Sequence, residues 1–131
     1  MPSEAEWEYS ARGGKESKLY PWGDEPPVCN PSAPNGAAWH CGFYPINVGC
    51  FQANGYKLYD MAGNVAQWVA DWAPAQAPDP CTPQIDPKGP DLGKEKVHRG
   101  GGALPDMKCL QVHWTSEDAP DKRCLLAVSC G

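Results

Sequence analysis

The sequence contains no run approaching the roughly 18 apolar residues that a bilayer-crossing helix requires. Its start, Met1-Pro2-Ser3-Glu4, is polar and does not resemble a basic stretch followed by an apolar one. As given, the chain reads as soluble and untargeted, and no membrane partner is expected. Clustered positive charge is also missing. Eleven Lys and Arg residues are scattered among sixteen Asp and Glu, for a net charge of -5. Nucleic-acid binding depends on concentrated basic residues that displace counterions, so no nucleic-acid partner is expected. No C-x-x-C pair occurs, and His40, His98 and His113 fall into no zinc-finger spacing, which argues against a structural zinc site.

Glycine and proline, by contrast, are abundant, at 14 and 15 of 131 residues, a content that approaches low-complexity chains. Six tryptophans oppose disorder, because disordered chains carry too little aromatic surface to offset the entropy of ordering. The composition implies a folded, loop-rich unit of one-domain size. Seven cysteines are many for a reduced compartment and odd in number, so at least one remains free or pairs elsewhere. That count leans toward an extracytoplasmic setting.

Along the chain, Ser3-Glu4-Ala5-Glu6 is a capping box. The Ser3 hydroxyl accepts an orphan backbone N–H and Glu6 reaches back to the cap. A short helix is predicted from Glu4 to about Arg12, ended by Gly13-Gly14 in the left-handed region. Tyr20-Pro21-Trp22-Gly23-Asp24 reads as a turn with aromatic anchors, and residues 29–42 as a loop. Ile46-Asn47-Val48-Gly49 is a strand candidate, and Asn54-Gly55 is a strong turn signal. From Val65 to Trp72 the alternation sets Ala66, Trp68, Ala70 and Trp72 on one face of a strand and Val65, Gln67, Val69 and Asp71 on the other. Residues 73–93 form a proline-rich irregular stretch, too long for an ordinary connection. Val97 to Arg99 and Leu125 to Ser129 are further short strands.

Four segments, in order, carry a family resemblance: Pro2-Ser3-Glu4-Ala5-Glu6-Trp7-Glu8-Tyr9, Tyr20-Pro21-Trp22-Gly23, the Gly63-Asn64-Val65-Ala66-Gln67-Trp68 run, and Arg99-Gly100-Gly101-Gly102. Together they resemble the formylglycine-generating-enzyme (sulfatase-modifying-factor) family over residues 2–102. The resemblance implies an irregular, loop-rich α+β fold akin to C-type lectins, with residues 1–131 as a single domain. Family domains are longer, and the capping-box helix lies in their middle. It follows that the domain lacks its N-terminal part and could dimerise to cover what is missing.

Catalytic members of the family oxidise a cysteine in a sulfatase's Cys-x-Pro-x-Arg segment, using oxygen and copper(I) held by two thiolates, ligands soft enough for that ion. The matching window here contains Cys109, the candidate catalytic and copper-binding thiol. Its expected partner, five positions earlier, is Leu104, so Cys124 or Cys130 would have to substitute. A Cys109–His113 metal pair is a weaker alternative, and a buried or disulfide-bonded structural cysteine is the plain one. The resemblance also implies structural calcium, with Asn64 and Gln67 as candidate ligands where the family has Asn and Glu, and Asn30 at a second site. Glu4 and Glu8 read as a solvated helix face and Glu6 as a cap, while Gly100-Gly101-Gly102 reads as a tight backbone passage. The expected function is therefore a noncatalytic binding or structural module, presenting the segment from Leu104 to Trp114 to a protein or small-ligand partner. The alternatives are a copper-dependent formylglycine-generating oxidase and an inactive truncated remnant.

Overall fold

The structure, a computed structural model, describes residues 1–76, 82–103 and 106–121. The predicted helix forms as α1 (Glu4–Arg12). Both halves of its capping box are made: Ser3 Oγ accepts from Glu6 N–H and Glu6 Oε2 accepts from Ser3 N–H. Gly13 ends the helix at φ 56°, and a Cβ there would lie 2.8 Å from the Gly55 nitrogen. Asn54, the turn residue beside it, also caps the helix. Its side-chain nitrogen donates to the Ser10 and Ala11 carbonyls, and its oxygen accepts from the Tyr56 and Leu58 amides. One asparagine thus closes a turn and meets two of the orphan carbonyls that every helix leaves at its end.

Three strands follow, β1 (Gln67–Trp72), β2 (Lys96–Arg99) and β3 (Ser116–Asp118), in one antiparallel sheet of order β1-β2-β3. The register pairs Gln67 with Arg99 and Trp68 with His98, then shifts before Trp72 meets Lys96. The strand begins at Gln67, and the predicted alternation holds only in its second half: Val69 and Asp71 are buried and Ala70 between them is exposed, whereas upstream Ala66 is buried and Val65 exposed. A four-residue 3-10 turn, Met107–Leu110, precedes β3.

Two clusters make the core. Trp7 and Ala11 of α1 pack on Val69, Val97 and Val112, and Tyr20, Ala37, Ala62, Cys109 and Leu110 pack under Trp22, Trp39 and Trp114. Each fully buried aliphatic side chain contributes on the order of 1.5–3 kcal/mol. The loops are tied by other means. Cys29 and Cys41 form a disulfide across the 29–42 loop, and the Tyr20–Gly23 turn closes through reciprocal backbone hydrogen bonds.

The expected strand at Ile46-Asn47-Val48-Gly49 is not formed. The Ile46 N–H and C=O, which a ladder would use, are both taken by the Asn64 side chain. The expected strand from Leu125 to Ser129 lies outside the described residues. The Met107–Leu110 turn and β3 carry no apolar alternation, and the sequence reading missed them.

Candidate functional site

Cys109 sits in the 3-10 turn that Asp106 caps, accepting from the Lys108 amide. Gly101 lets this turn approach. At φ 63° it passes so close that a Cβ would meet Leu110 Cδ1 at 2.9 Å and the Cys109 carbonyl oxygen at 3.0 Å. Cys109 is 3% exposed within the second core cluster and is disulfide-bonded. A disulfide sulfur carries no thiolate, the form that binds copper(I) or attacks a substrate, so Cys109 in this state does not fit that ion. His113 is exposed, unlike Cys109. Of the stretch expected as a recognition surface, Leu104 lies outside the described residues, while Cys109, Leu110 and Val112 point inward. Met107 and His113 face outward, and Lys108 Nζ lies 4.9 Å above the Trp114 ring.

The candidate calcium ligands are engaged in another way. Asn64, buried at φ 63°, uses its side-chain oxygen to accept from Ile46 N–H and its nitrogen to donate to Ile46 C=O, at 3.0 and 3.1 Å. Gln67 accepts from Trp7 Nε1 at 2.9 Å and donates to the Asp60 carbonyl at 2.8 Å. Asn30 Oδ1 accepts from Ser32 N–H on an exposed loop. All three amide oxygens are thus turned toward N–H donors. No carboxylate stands beside them in these bonds, whereas a hard cation favours carboxylate-rich oxygen cages. Among the described residues, no three His, Cys, Asp or Glu side chains converge in a way that could hold a metal. The amide pair therefore fits a protein-only bracing role better than a calcium cage.

A polar constellation around Arg99 was absent from the sequence reading. Arg99 of β2, its side chain 1% exposed, donates to Glu4 Oε1 and Glu8 Oε2, both at 2.8 Å. The same guanidinium donates to Thr115 Oγ1 and the Val112 carbonyl, and lies 5.2 Å above the Trp7 ring. Glu4 and Glu8 are therefore not a solvated helix face; they anchor α1 to β2. Their i,i+4 spacing beside Trp7 and Ala11, on the helix stripe that faces the core, was the available signal. Burial pulls the Glu8 carboxyl upward, but hydrogen bonds from Arg12 and Arg99, with their charges, more than offset this and hold it below the ordinary glutamate value.

Above this anchor lies a cleft of about 900 Å³, between α1, the end of β1, residues 74–75 and 84–90, and β3. Trp72, Pro74, Pro87 and Pro90 give it apolar walls, and Asp71 and Glu117 give it charge. It shares no lining residue with the cluster around Cys109.

The irregular α+β architecture is that of a known class of domain. The profile of the sulfatase-modifying factor enzyme 1-like domain matches residues 1–124, and the chain belongs to that family. It is 41% identical over 117 residues to the formylglycine-generating enzyme of Thermomonospora curvata, a match covering 79% of this chain and 38% of the relative. It is 40% identical over 77 residues to the inactive C-alpha-formylglycine-generating enzyme 2 of Bos taurus, covering 53% of this chain and 26% of that one. Among solved structures, Treponema denticola variable protein 1 aligns with a TM-score of 0.76 at 29% identity, over 97% of this chain and 44% of the other. The chain thus spans less than half the length of each of these relatives.

Proposed function

We propose that this domain is a noncatalytic binding module of the sulfatase-modifying-factor family. The observation that carries the reading is the contrast between Cys109, disulfide-bonded and packed in the core, and the open cleft on a separate set of residues. Leu104 in place of a second cysteine and Gln67 in place of the family's glutamate point the same way. The disulfides favour an oxidising, extracytoplasmic setting, where such bonds persist.

The rival reading, a copper-dependent oxidase, draws its support from the 41% identity to the Thermomonospora curvata enzyme. One experiment separates the two. The fully reduced protein is titrated with copper(I) against a chromophoric chelator, beside Cys109→Ser, and then incubated with copper(I), oxygen and a Cys-x-Pro-x-Arg peptide. The binding-module reading expects no tight stoichiometric site that depends on Cys109, and no conversion of peptide thiol to aldehyde by mass spectrometry. Tight one-to-one binding lost in Cys109→Ser, together with aldehyde formation, would establish the oxidase instead.

A further inference from the structure

We propose that the cleft beside α1 is a docking site for a polypeptide segment bearing lysine or arginine, an assignment that rests on the binding-module reading. Its volume, about 900 Å³, lies toward the top of the ~300–1,000 Å³ range of ligand sites. Its apolar walls are rings, those of Trp72, Pro74, Pro87 and Pro90. Such walls lose little side-chain entropy when a chain packs against them, and prolines leave no backbone N–H to be stranded.

The charge of the cleft selects the occupant. Glu4 and Glu8 are engaged by Arg99, and Asp118 faces His98 at 3.3 Å. Asp71 and Glu117 have no cationic partner among the described residues. Asp71 is only 8% exposed. Its two oxygens accept from the Glu4 and Gly89 amides at 2.7 Å, which fixes the carboxylate in the cleft wall with no counter-ion among the described residues. The two amides, one of them the first N–H of α1, offset part of the cost of withdrawing this charge from water, and a ligand that brings an ammonium or guanidinium group adds a counter-ion in a setting less screened than that of an exposed acid. Glu117, on β3, lines the same cleft and remains exposed. Among the described residues the one lysine lining the cleft, Lys88, is paired with Asp86 at 3.7 Å. Anionic ligands are disfavoured by this arrangement. A second copy of this chain, at a net charge of -5, is disfavoured for the same reason. The apolar walls exceed what a bare amine would cover, which favours a polypeptide carrier.

The test is fluorescence anisotropy with the full chain, disulfides intact, and a short labelled peptide alternating lysine with proline and alanine. A glutamate-for-lysine peptide is the control and unlabelled spermidine the competitor. The lysine peptide should bind, and binding should weaken as salt rises. Glu117→Lys and Asp71→Asn should each weaken it about tenfold or more. Glu117 is exposed, so its variant tests the site without a folding risk; the thermal midpoint of Asp71→Asn reads any loss of fold separately. Absence of binding, equal binding of the glutamate peptide, or unchanged affinity in Glu117→Lys overturns the assignment. Displacement by spermidine at the peptide's own concentration overturns the polypeptide occupant in favour of a free polyamine. The copper titration fails or succeeds independently. If peptide binding and copper(I) binding are both absent, this assignment falls while the noncatalytic reading stands. Aldehyde formation on the Cys-x-Pro-x-Arg peptide removes the noncatalytic reading itself.

Discussion

Replacing Arg99 with methionine should destabilise the protein more than any other single exchange of a charged residue. The side chain is 1% exposed and joins three separate parts of the chain: Glu4 and Glu8 of α1, the Val112 carbonyl and the Thr115 hydroxyl. Methionine keeps most of the volume and the contact with Trp7 but removes every donor. Breaking a buried ion pair from one side typically costs about 3–5 kcal/mol, because the remaining charges lose their partner. Two features pull the value to the lower part of that range. Glu4 and Glu8 are 30% and 31% exposed, so they can recover water. Arg99 Nε has no acceptor in the native state, so its removal relieves a small existing cost. We expect a loss of about 3 kcal/mol, measured by urea unfolding under non-reducing conditions and followed by tryptophan fluorescence, with an unchanged m-value. Arg99→Lys should recover less than half of it, since an ammonium cannot span both carboxylates in the forked geometry. A loss below about 1 kcal/mol in Arg99→Met would show that the guanidinium is not the tie between α1 and the sheet, and would refute the reasoning.

Four further outcomes concern Glu8 and the side-chain amides of Gln67 and Asn64. Glu8 is held below its ordinary value of 4.5 in the folded protein, so its stabilising share should be complete above about pH 5 and lost as pH falls through the depressed folded value; Glu8→Gln should flatten that acid limb in pH-dependent unfolding. Adding or chelating calcium at about 1 mM should leave the thermal midpoint unchanged. Gln67→Glu should cost about 1–2 kcal/mol by losing its donation to the Asp60 carbonyl, a loss calcium does not repair; restoration by calcium would reinstate the ion at this site. Asn64→Ala should cost about 2–3 kcal/mol, because both bonds to Ile46 vanish and alanine tolerates φ 63° poorly; Asn64→Gly, which relieves only the backbone strain, should recover about 1 kcal/mol of it.

Local signals were legible in the sequence wherever the residues that create a structure are also the ones that display it. Ser3 and Glu6 announce the start of α1 and make the bonds that start it, Gly13 ends it, and the alternation from Val69 to Trp72 separates the two faces of β1. The long-range polar ties were not legible, since their two ends carry independent local meanings. Glu4 and Glu8 read as a solvated face near a helix N-terminus, and only the fold brings Arg99 beneath them, 95 and 91 positions away in the chain. Asn64 and Gln67 show the same division from the other side. Their motif marked them as special, but whether an amide oxygen faces an ion or an N–H depends on what the loops bring to it, here Ile46 and Trp7. The cleft carries this furthest. Alternation set Asp71 on one face of a strand with Val69, and only the fold shows that this face is the inward one. Two amides orient it and, among the described residues, no cation pairs with it, which is why the proposed occupant of the cleft is cationic.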